Sequence, residues 1–297
     1  MPQKAINLLD IKKDGIYVDG TLGRGGHSKL ILEKLENGKL YCFDLDEEAI
    51  KESKEFLKDY DNVVFIHDNF KNMNKYVERV DGILLDLGVS SPQFDEAQRG
   101  FSYRFDGPLD MRMNKEDKLS AYEVVNEYSR DELIRVLYEY GEERNARRIV
   151  DKIIESRPIN TTLQLVDVIK SALPAKVLAK KGHPAKQSFQ AIRIEVNHEL
   201  DSLKTFSDSF DEILNVDGNV VIITFHSLED KLVKYKFKKL SSVEDDLRIA
   251  LRPEEVKKAN YKLLNHGDKA DEEEIEENKR AKSAIIRGVK KVYGKNS

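Results

Sequence analysis

Tryptophan is absent, proline occurs seven times, and cysteine once, at Cys42, in 297 residues. A single thiol excludes an intrachain disulfide framework and makes a cysteine-rich zinc site implausible. No stretch approaches the ~18 consecutive apolar residues that a membrane-spanning helix requires. The N-terminus, M-P-Q-K-A-I-N-L-L-D, lacks the apolar core and small-residue cleavage site of a signal peptide. Together these absences predict a cytoplasmic protein. Nor is charge of one sign in large excess. With 50 basic and 54 acidic residues the net charge is −4, which neither steers the whole molecule to nucleic acid nor forbids local basic patches. No heptad array or short repeat is visible, and the one low-complexity piece is the acidic D-E-E-E-I-E-E-N at 271–278.

What is present is a chain with 40% hydrophobic residues, enough for a substantial core. Its first ninety residues alternate short apolar runs with amphipathic stretches. Strands are expected at 16–19, 40–44, 63–67 and 82–87, with helices over 27–36, 47–60 and 71–77. That rhythm argues for a parallel sheet covered on both faces. From about residue 100 to 187 only helices and loops are expected. Ser120-Ala-Tyr-Glu123 and Ser129-Arg-Asp-Glu132 are both capping boxes, and further helices are expected near 142–157 and 162–173. After a long helical pattern from 188, Asn219–Phe225 reads as another apolar strand, and Ser283–Val292 supplies a last one. The expected organisation is an α/β doubly wound, mostly parallel sheet (1–99 and 188–297) interrupted by an all-helical insertion (100–187).

Residues 16–28 read I-Y-V-D-G-T-L-G-R-G-G-H-S, a strand ending in Asp19 followed by four glycines within seven residues. Strand, glycine turn and helix N-terminus form a nucleotide-like site at the carboxyl edge of a sheet. A P-loop would need Gly-Lys-Ser/Thr, where this turn ends Gly25-Gly26-His27-Ser28. A dinucleotide fingerprint would need a glycine where Ser28 stands. S-adenosylmethionine has no pyrophosphate to seat and tolerates the looser spacing. Asp44, 21 residues beyond Gly23 at the tip of the second strand, is placed to accept both ribose hydroxyls. It signals a nucleoside without telling adenosylmethionine from NAD. The fourth strand ends L-L-D-L-G-V-S-S-P-Q over 84–93. Its Ser90-Ser91-Pro92-Gln93 is a loose analogue of the polar-proline loop with which amino-methyltransferases hold the nitrogen they alkylate, or else a tight turn fixed by Pro92.

At this point the residues resemble a family, the bacterial small-subunit ribosomal RNA (cytosine-N4)-methyltransferases of type H. The matching stretches are Asp19-Gly-Thr-Leu-Gly-Arg-Gly-Gly-His-Ser28, Asp81-Gly-Ile-Leu-Leu-Asp-Leu-Gly-Val-Ser-Ser-Pro-Gln93, Arg99-Gly-Phe-Ser and Asp106-Gly-Pro-Leu-Asp-Met-Arg-Met113. Tyr140-Gly-Glu-Glu-Arg144, His183-Pro-Ala, Phe189-Gln-Ala-Ile-Arg-Ile-Glu-Val-Asn197 and Phe225-His-Ser-Leu-Glu-Asp230 continue the series, ending at Arg-Ala-Lys-Ser283. The resemblance implies a class I (Rossmann-like) methyltransferase with an inserted helical RNA-recognition domain. It implies S-adenosylmethionine as methyl donor and, as substrate, a cytidine in the decoding region of 16S ribosomal RNA, with the small ribosomal subunit as partner. Family cofactor contacts fall on Gly25, Gly26, His27, Asp44, Phe70, Asp86 and Gln93. Two departures are visible. Family members usually open with a His-x-Pro-Val-Leu-Leu-like segment, which does not precede Met1-Pro2 here, so the expectation is either weaker cofactor binding or a true start that lies upstream. Asn278-Lys279-Arg280 carries Lys where Asn-Pro-Arg is usual.

The chemistry expected of such a site follows from the nucleophile. A cytosine amine is weak because its lone pair is delocalised, so catalysis comes from alignment and from hydrogen-bond acceptors on the amine. Asp86 is the first catalytic candidate, with the Ser91 and Pro92 region as substrate contacts. His226, at the end of the strand expected beside the fourth, is the second, with Ser227 expected to cap the following helix. Attack at cytosine C5 would need a thiolate, and Cys42 lies inside a strand. For RNA, Arg99, Arg104 and Arg112 interleave with Phe101, Tyr103 and Phe105. Such a segment either stacks on a splayed base or forms an ordered lid with its aromatics inward. His183, in Lys180-Lys-Gly-His-Pro-Ala-Lys186, suits phosphate contacts. His198-Glu199 is followed by Ser202 where a zinc protease needs His, and no metal site is expected. Two other readings stay open: a small-molecule methyltransferase or nicotinamide oxidoreductase, and a non-catalytic ribosome-assembly factor.

Overall fold

A computed structural model describes residues 1–243 and 258–294. The strands are β1 (Ile16–Asp19), β2 (Lys39–Asp44), β3 (Val63–His67), β4 (Val80–Asp86), β5 (Leu214–Thr224), β6 (Tyr261–Leu263), β7 (Asp268–Lys269) and β8 (Ile285–Lys291). Their order in the sheet is β3-β2-β1-β4-β5-β8-β6, with β7 also on β8. The first five are parallel, and β8, β6 and β7 add an antiparallel edge. This is the α/β, Rossmann-like class I arrangement. Helices α1 (Pro2–Leu9), α2 (Gly26–Leu32) and α3 (Glu47–Phe56) accompany the first strands. They are followed by α4 (Ser91–Asp95), α5 (Ala121–Glu127), α6 (Arg130–Glu139), α7 (Ala146–Ser156), α8 (Thr162–Ala172), α9 (Ala175–Leu178) and α10 (Lys186–Asn197). The series closes with α11 (Glu199–Ser209), α12 (Ser227–Leu240) and α13 (Glu272–Glu277). Among the described residues no helix is long and apolar enough to cross a membrane.

Two compact units result: residues 1–88 with 201 onward, and residues 89–200. In the first, the period of two along each strand sends alternate side chains to opposite faces. Val18, Ile83, Leu85 and Ile222 join Phe206, Phe210, Val233 and Phe237 on one side. Tyr17, Leu84, Val221 and Ile223 join Ile6, Leu9, Ile31 and Leu32 on the other. Helix α1, which the sequence reading left without a structure, thus belongs to the core. Its terminal carbonyls at Leu8 and Leu9 accept from Asn219 Nδ2 at 2.9 and 3.3 Å.

The second unit is helical, and its core joins Val124, Leu133, Val136, Ile149, Ile153, Leu165, Ile169 and Ile192. Both expected capping boxes form, Ser120 with Glu123 and Ser129 with Glu132. Asn197 Nδ2 donates to Met111 O (2.8 Å), and its Oδ1 accepts from Met113 N (2.7 Å). These bonds fasten the irregular segment before α5 to α10.

In the first unit, the Arg287 guanidinium on β8 donates to both oxygens of Asp230, in the first turn of α12, at 2.8 and 3.0 Å. A third bond goes to His266 O. Both side chains are largely buried. Removing one partner of such a pair strands the other charge. Arg287→Ala is therefore expected to lower the unfolding free energy by about 3 kcal/mol, read by urea denaturation. A loss below about 0.5 kcal/mol would class the pair with exposed ion pairs.

Candidate active site

Register brings the site together. Asp19 pairs with Cys42 on β2 and Leu84 on β4, so β1, β2 and β4 end at one edge carrying Asp19, Asp44 and Asp86. Between them runs the glycine turn. Gly23 and Gly25 have φ of 50° and 77°, the left-handed region where a side chain is strained. A Cβ built at Gly23 or Gly26 would meet nothing within 4 Å, which leaves the backbone open to a ligand. The Gly23 N–H donates to Asp44 Oδ2 at 2.8 Å, and the Asp46 N–H to Asp44 Oδ1 at 2.9 Å. Asp44 therefore shapes the turn while each oxygen keeps a further lone pair. Phe70 opens the segment after β3 and lies against the start of the turn, where a Gly20 Cβ would come within 2.9 Å of its Cβ. Its ring meets Phe206 edge-on at 5.9 Å.

Asp19 is fully enclosed, accepting from Ser28 Oγ (2.7 Å) and the Thr21 N–H (3.1 Å). The Asp86 N–H donates to Thr21 Oγ1 at 2.6 Å, and Asp86 Oδ2 stands 3.5 Å from His27 Nδ1. Among the described residues, Asp86 Oδ1 and His27 Nε2 are buried with no hydrogen-bond partner. Burial raises Asp19 and Asp86 above the usual carboxylate range, with His27 opposing it most strongly. It pushes Asp44 up to about 6, against the two backbone N–H groups that favour the ion. Cys42 is sealed beside Ser28 Oγ at 3.3 Å, and burial, then the nearby Asp19, raise its thiol well above its ordinary value.

Of the expected cofactor residues, Gly25, Gly26, His27, Asp44, Phe70 and Asp86 thus gather around one turn. Gln93 is spent locally. Its Oε1 accepts from the Ser90 N–H (3.1 Å) in a capping box on α4, where Ser91 and Pro92 form the first turn. His226 follows β5, whose Ile223 pairs with Asp86. The cap expected of Ser227 falls instead to His226, the N-cap of α12, with the Glu229 N–H facing its Nδ1 at 3.5 Å. The reason is Glu229, whose Oε2 accepts from the N–H groups of Phe225 and His226 and so sets the helix start one residue earlier.

The arginine-aromatic segment divides. Arg99 is buried and donates to the carbonyls of Arg112 and Met113, and Phe101 is in the helical core. Arg112 grips Asp110 through Nε and Nη2, both at 2.8 Å. Arg104 and Phe105 remain exposed, and Tyr103 stacks on His183 at 4.4 Å between centroids. Composition alone did not separate inward from outward members. Thr21 and Ser28, missed by the sequence reading, tie the carboxylates together. Their signal was a hydroxyl at each end of the glycine turn.

Over residues 1–292 the chain matches a family described as the MraW methylase family. It is 56% identical over 248 residues to the Ribosomal RNA small subunit methyltransferase H of Clostridium botulinum (strain Kyoto / Type A2), covering 80% of each chain. Among solved structures it is similar to an rRNA methylase from Streptococcus thermophilus, with 14% identity, 98% and 95% of the two chains covered and a TM-score of 0.40. It is also similar to a SAM-dependent O-methyltransferase from Thermotoga maritima, with 9% identity, 100% and 66% covered and a TM-score of 0.44.

A carboxylate lifted to about 6 must ionise before it can accept from a ribose fully. Adenosylmethionine affinity, measured by calorimetry, is therefore expected to fall about fivefold on going from about pH 6 to about pH 5. Asp44→Asn should flatten that dependence and weaken binding near neutrality. For stability the sign is opposite. The folded state holds the Asp44 proton more tightly, so this group favours folding below pH 4 and loses that contribution as pH rises through about 6.

Proposed function

The chain belongs to the MraW methylase family, and on that premise we propose that it methylates, from S-adenosylmethionine, the N4 amine of a cytidine in the decoding region of 16S ribosomal RNA. The observation that carries this reading is Asp86, a strand-tip carboxylate with a buried, unpartnered Oδ1 beside the open glycine turn. The cofactor supplies a methyl group on a cationic sulfur. The open backbone at Gly23 and Gly26, the Asp44 carboxylate and the Phe70 ring are the groups that would hold it. The relative from Clostridium botulinum bears a name that specifies small-subunit ribosomal RNA, and that kinship supports the substrate proposed here.

The residues then divide the work. Asp86 Oδ1 accepts a hydrogen bond from the amine, drawing electron density toward nitrogen and fixing its lone pair toward the incoming methyl group. Because burial raises Asp86, its carboxylate is a better proton acceptor than an exposed one as the amine gains its fourth bond. Thr21 positions Asp86 by accepting its backbone N–H, and His27 stands beside the other oxygen. Exocyclic nitrogen is favoured over ring carbon C5 because the sole thiol, Cys42, is sealed within β2 and protonated. His226, committed to the α12 cap, acts as a positioning residue for the loop after β5. RNA contacts fall to the exposed part of the helical unit around Tyr103, Arg104 and His183.

Incubation with methyl-labelled adenosylmethionine and small subunits from cells lacking the enzyme should place label in N4-methylcytidine after nucleoside digestion. Label in any other nucleoside, or none with cofactor bound, rejects the reading. Asp86→Asn is expected to lower kcat by about 10²–10⁴-fold with a much smaller change in cofactor affinity. The reverse split, weak cofactor binding with kcat retained, would make Asp86 a cofactor ligand only.

A further inference from the structure

The helical unit contains a built cluster that the reaction chemistry does not use. The loop carrying it is pinned. Thr162 Oγ1 donates to Phe105 O (2.8 Å) and accepts the Gly107 N–H (3.1 Å), and Ser102 Oγ accepts the Arg104 N–H (3.1 Å). Gly100, at φ 70°, lets the chain pass so close to Pro108 O that a Cβ would stand 2.2 Å from it. On this base the Tyr103 ring is wedged edge-on by Phe94 and Phe189, each at 5.8 Å. The His183 imidazole lies over it, 4.4 Å between centroids and 20° from parallel.

His183 Nδ1 accepts the Ala185 N–H at 3.3 Å. That bond places the ring's proton on Nε2, which becomes a donor. The Arg104 guanidinium carbon sits 5.9 Å from the Tyr103 centroid, and the charge of Lys170, from α8, also reaches the imidazole. Burial first, then Lys170 and Arg104, hold the imidazole below its ordinary pKa. Among the described residues neither Arg104 nor Lys170 has a carboxylate within 4.0 Å. Permanent cations near an oriented N–H donor favour an anion at that donor.

We infer that Arg104, Lys170 and the His183 Nε2–H form a phosphate subsite for the RNA backbone, in which His183 serves as a neutral donor held by the Tyr103 ring. The inference rests on the RNA substrate proposed above. It divides the roles sharply: the two permanent cations release counterions, whereas the imidazole orients the phosphate without adding charge.

The test is filter retention of purified 16S ribosomal RNA by the full chain across a potassium chloride series. Arg104→Gln and Lys170→Gln should each flatten the slope of log affinity against log salt by about 0.7–0.9. His183→Gln should weaken binding about tenfold with the slope unchanged. The wild-type to His183→Gln ratio should be the same at about pH 7.5 and about pH 6. Intact RNA binding by the wild type with both charge variants keeping its slope overturns the subsite. A ratio that grows on acidification shows an imidazolium and overturns the neutral-donor assignment. If the wild type retains no RNA at all, it is the RNA reading itself that fails. All three side chains are outside the core, and unchanged thermal melting of each variant ties any loss to binding.

Discussion

Everything at the candidate site depends on the parallel register of β1, β2 and β4. Because Asp19 lies opposite Cys42 and Leu84, the three strands finish within two residues of one another and deliver a carboxylate apiece. A one-residue slip would send each strand's apolar set to the other face. It would also pull Asp44 away from the Gly23 N–H. The two-faced core enforces the register, since Val18, Ile83 and Ile222 fit one side only and Tyr17, Leu84 and Val221 the other. Packing energy far from the site thus fixes catalytic geometry within it.

That geometry has an electrostatic consequence. Asp19, Asp44 and Asp86 are gathered where burial disfavours their charge, and each is raised. The chain offsets part of this with hydroxyls and backbone N–H groups: Ser28 and Thr21 on Asp19, Gly23 and Asp46 on Asp44. At Asp86 the chief opposing charge is His27, 3.5 Å from Oδ2. A ligand with a cationic sulfur and a cationic amine relieves the remaining deficit, whereas a dinucleotide would bring two more negative charges to the same edge. The carboxylates therefore favour adenosylmethionine on electrostatic grounds that the glycine spacing alone could not supply.

Much of this was legible in the sequence. The parallel strands announced themselves as apolar runs bounded by glycine and aspartate, and both serine capping boxes formed where the spacing put them. Harder features depend on partners distant in the chain. Helix α1 buries only Ala5, Ile6 and Leu9, too few apolar positions to stand out before the sheet exists. Strands β6 and β7, of three and two residues, are held by β8 rather than by their own pattern. Arg99 and Arg112 looked like phosphate ligands, yet their guanidinium groups satisfy carbonyls and Asp110 inside their own unit. Composition reports that an arginine is present. It does not report whether the fold has already supplied its acceptors.

That inward commitment changes how RNA affinity must be built. With a net charge of −4 and two of three loop arginines engaged, long-range attraction to phosphate is weak, and each exposed cation carries a larger share of the counterion release. Recognition then leans on groups that cost little ordering entropy. A pinned loop with an aromatic stack is such a group, because Tyr103 is already wedged by Phe94 and Phe189 before any ligand arrives. The same logic governs both units. In each, the candidate groups are few, and a larger set of hydrogen bonds fixes where they stand.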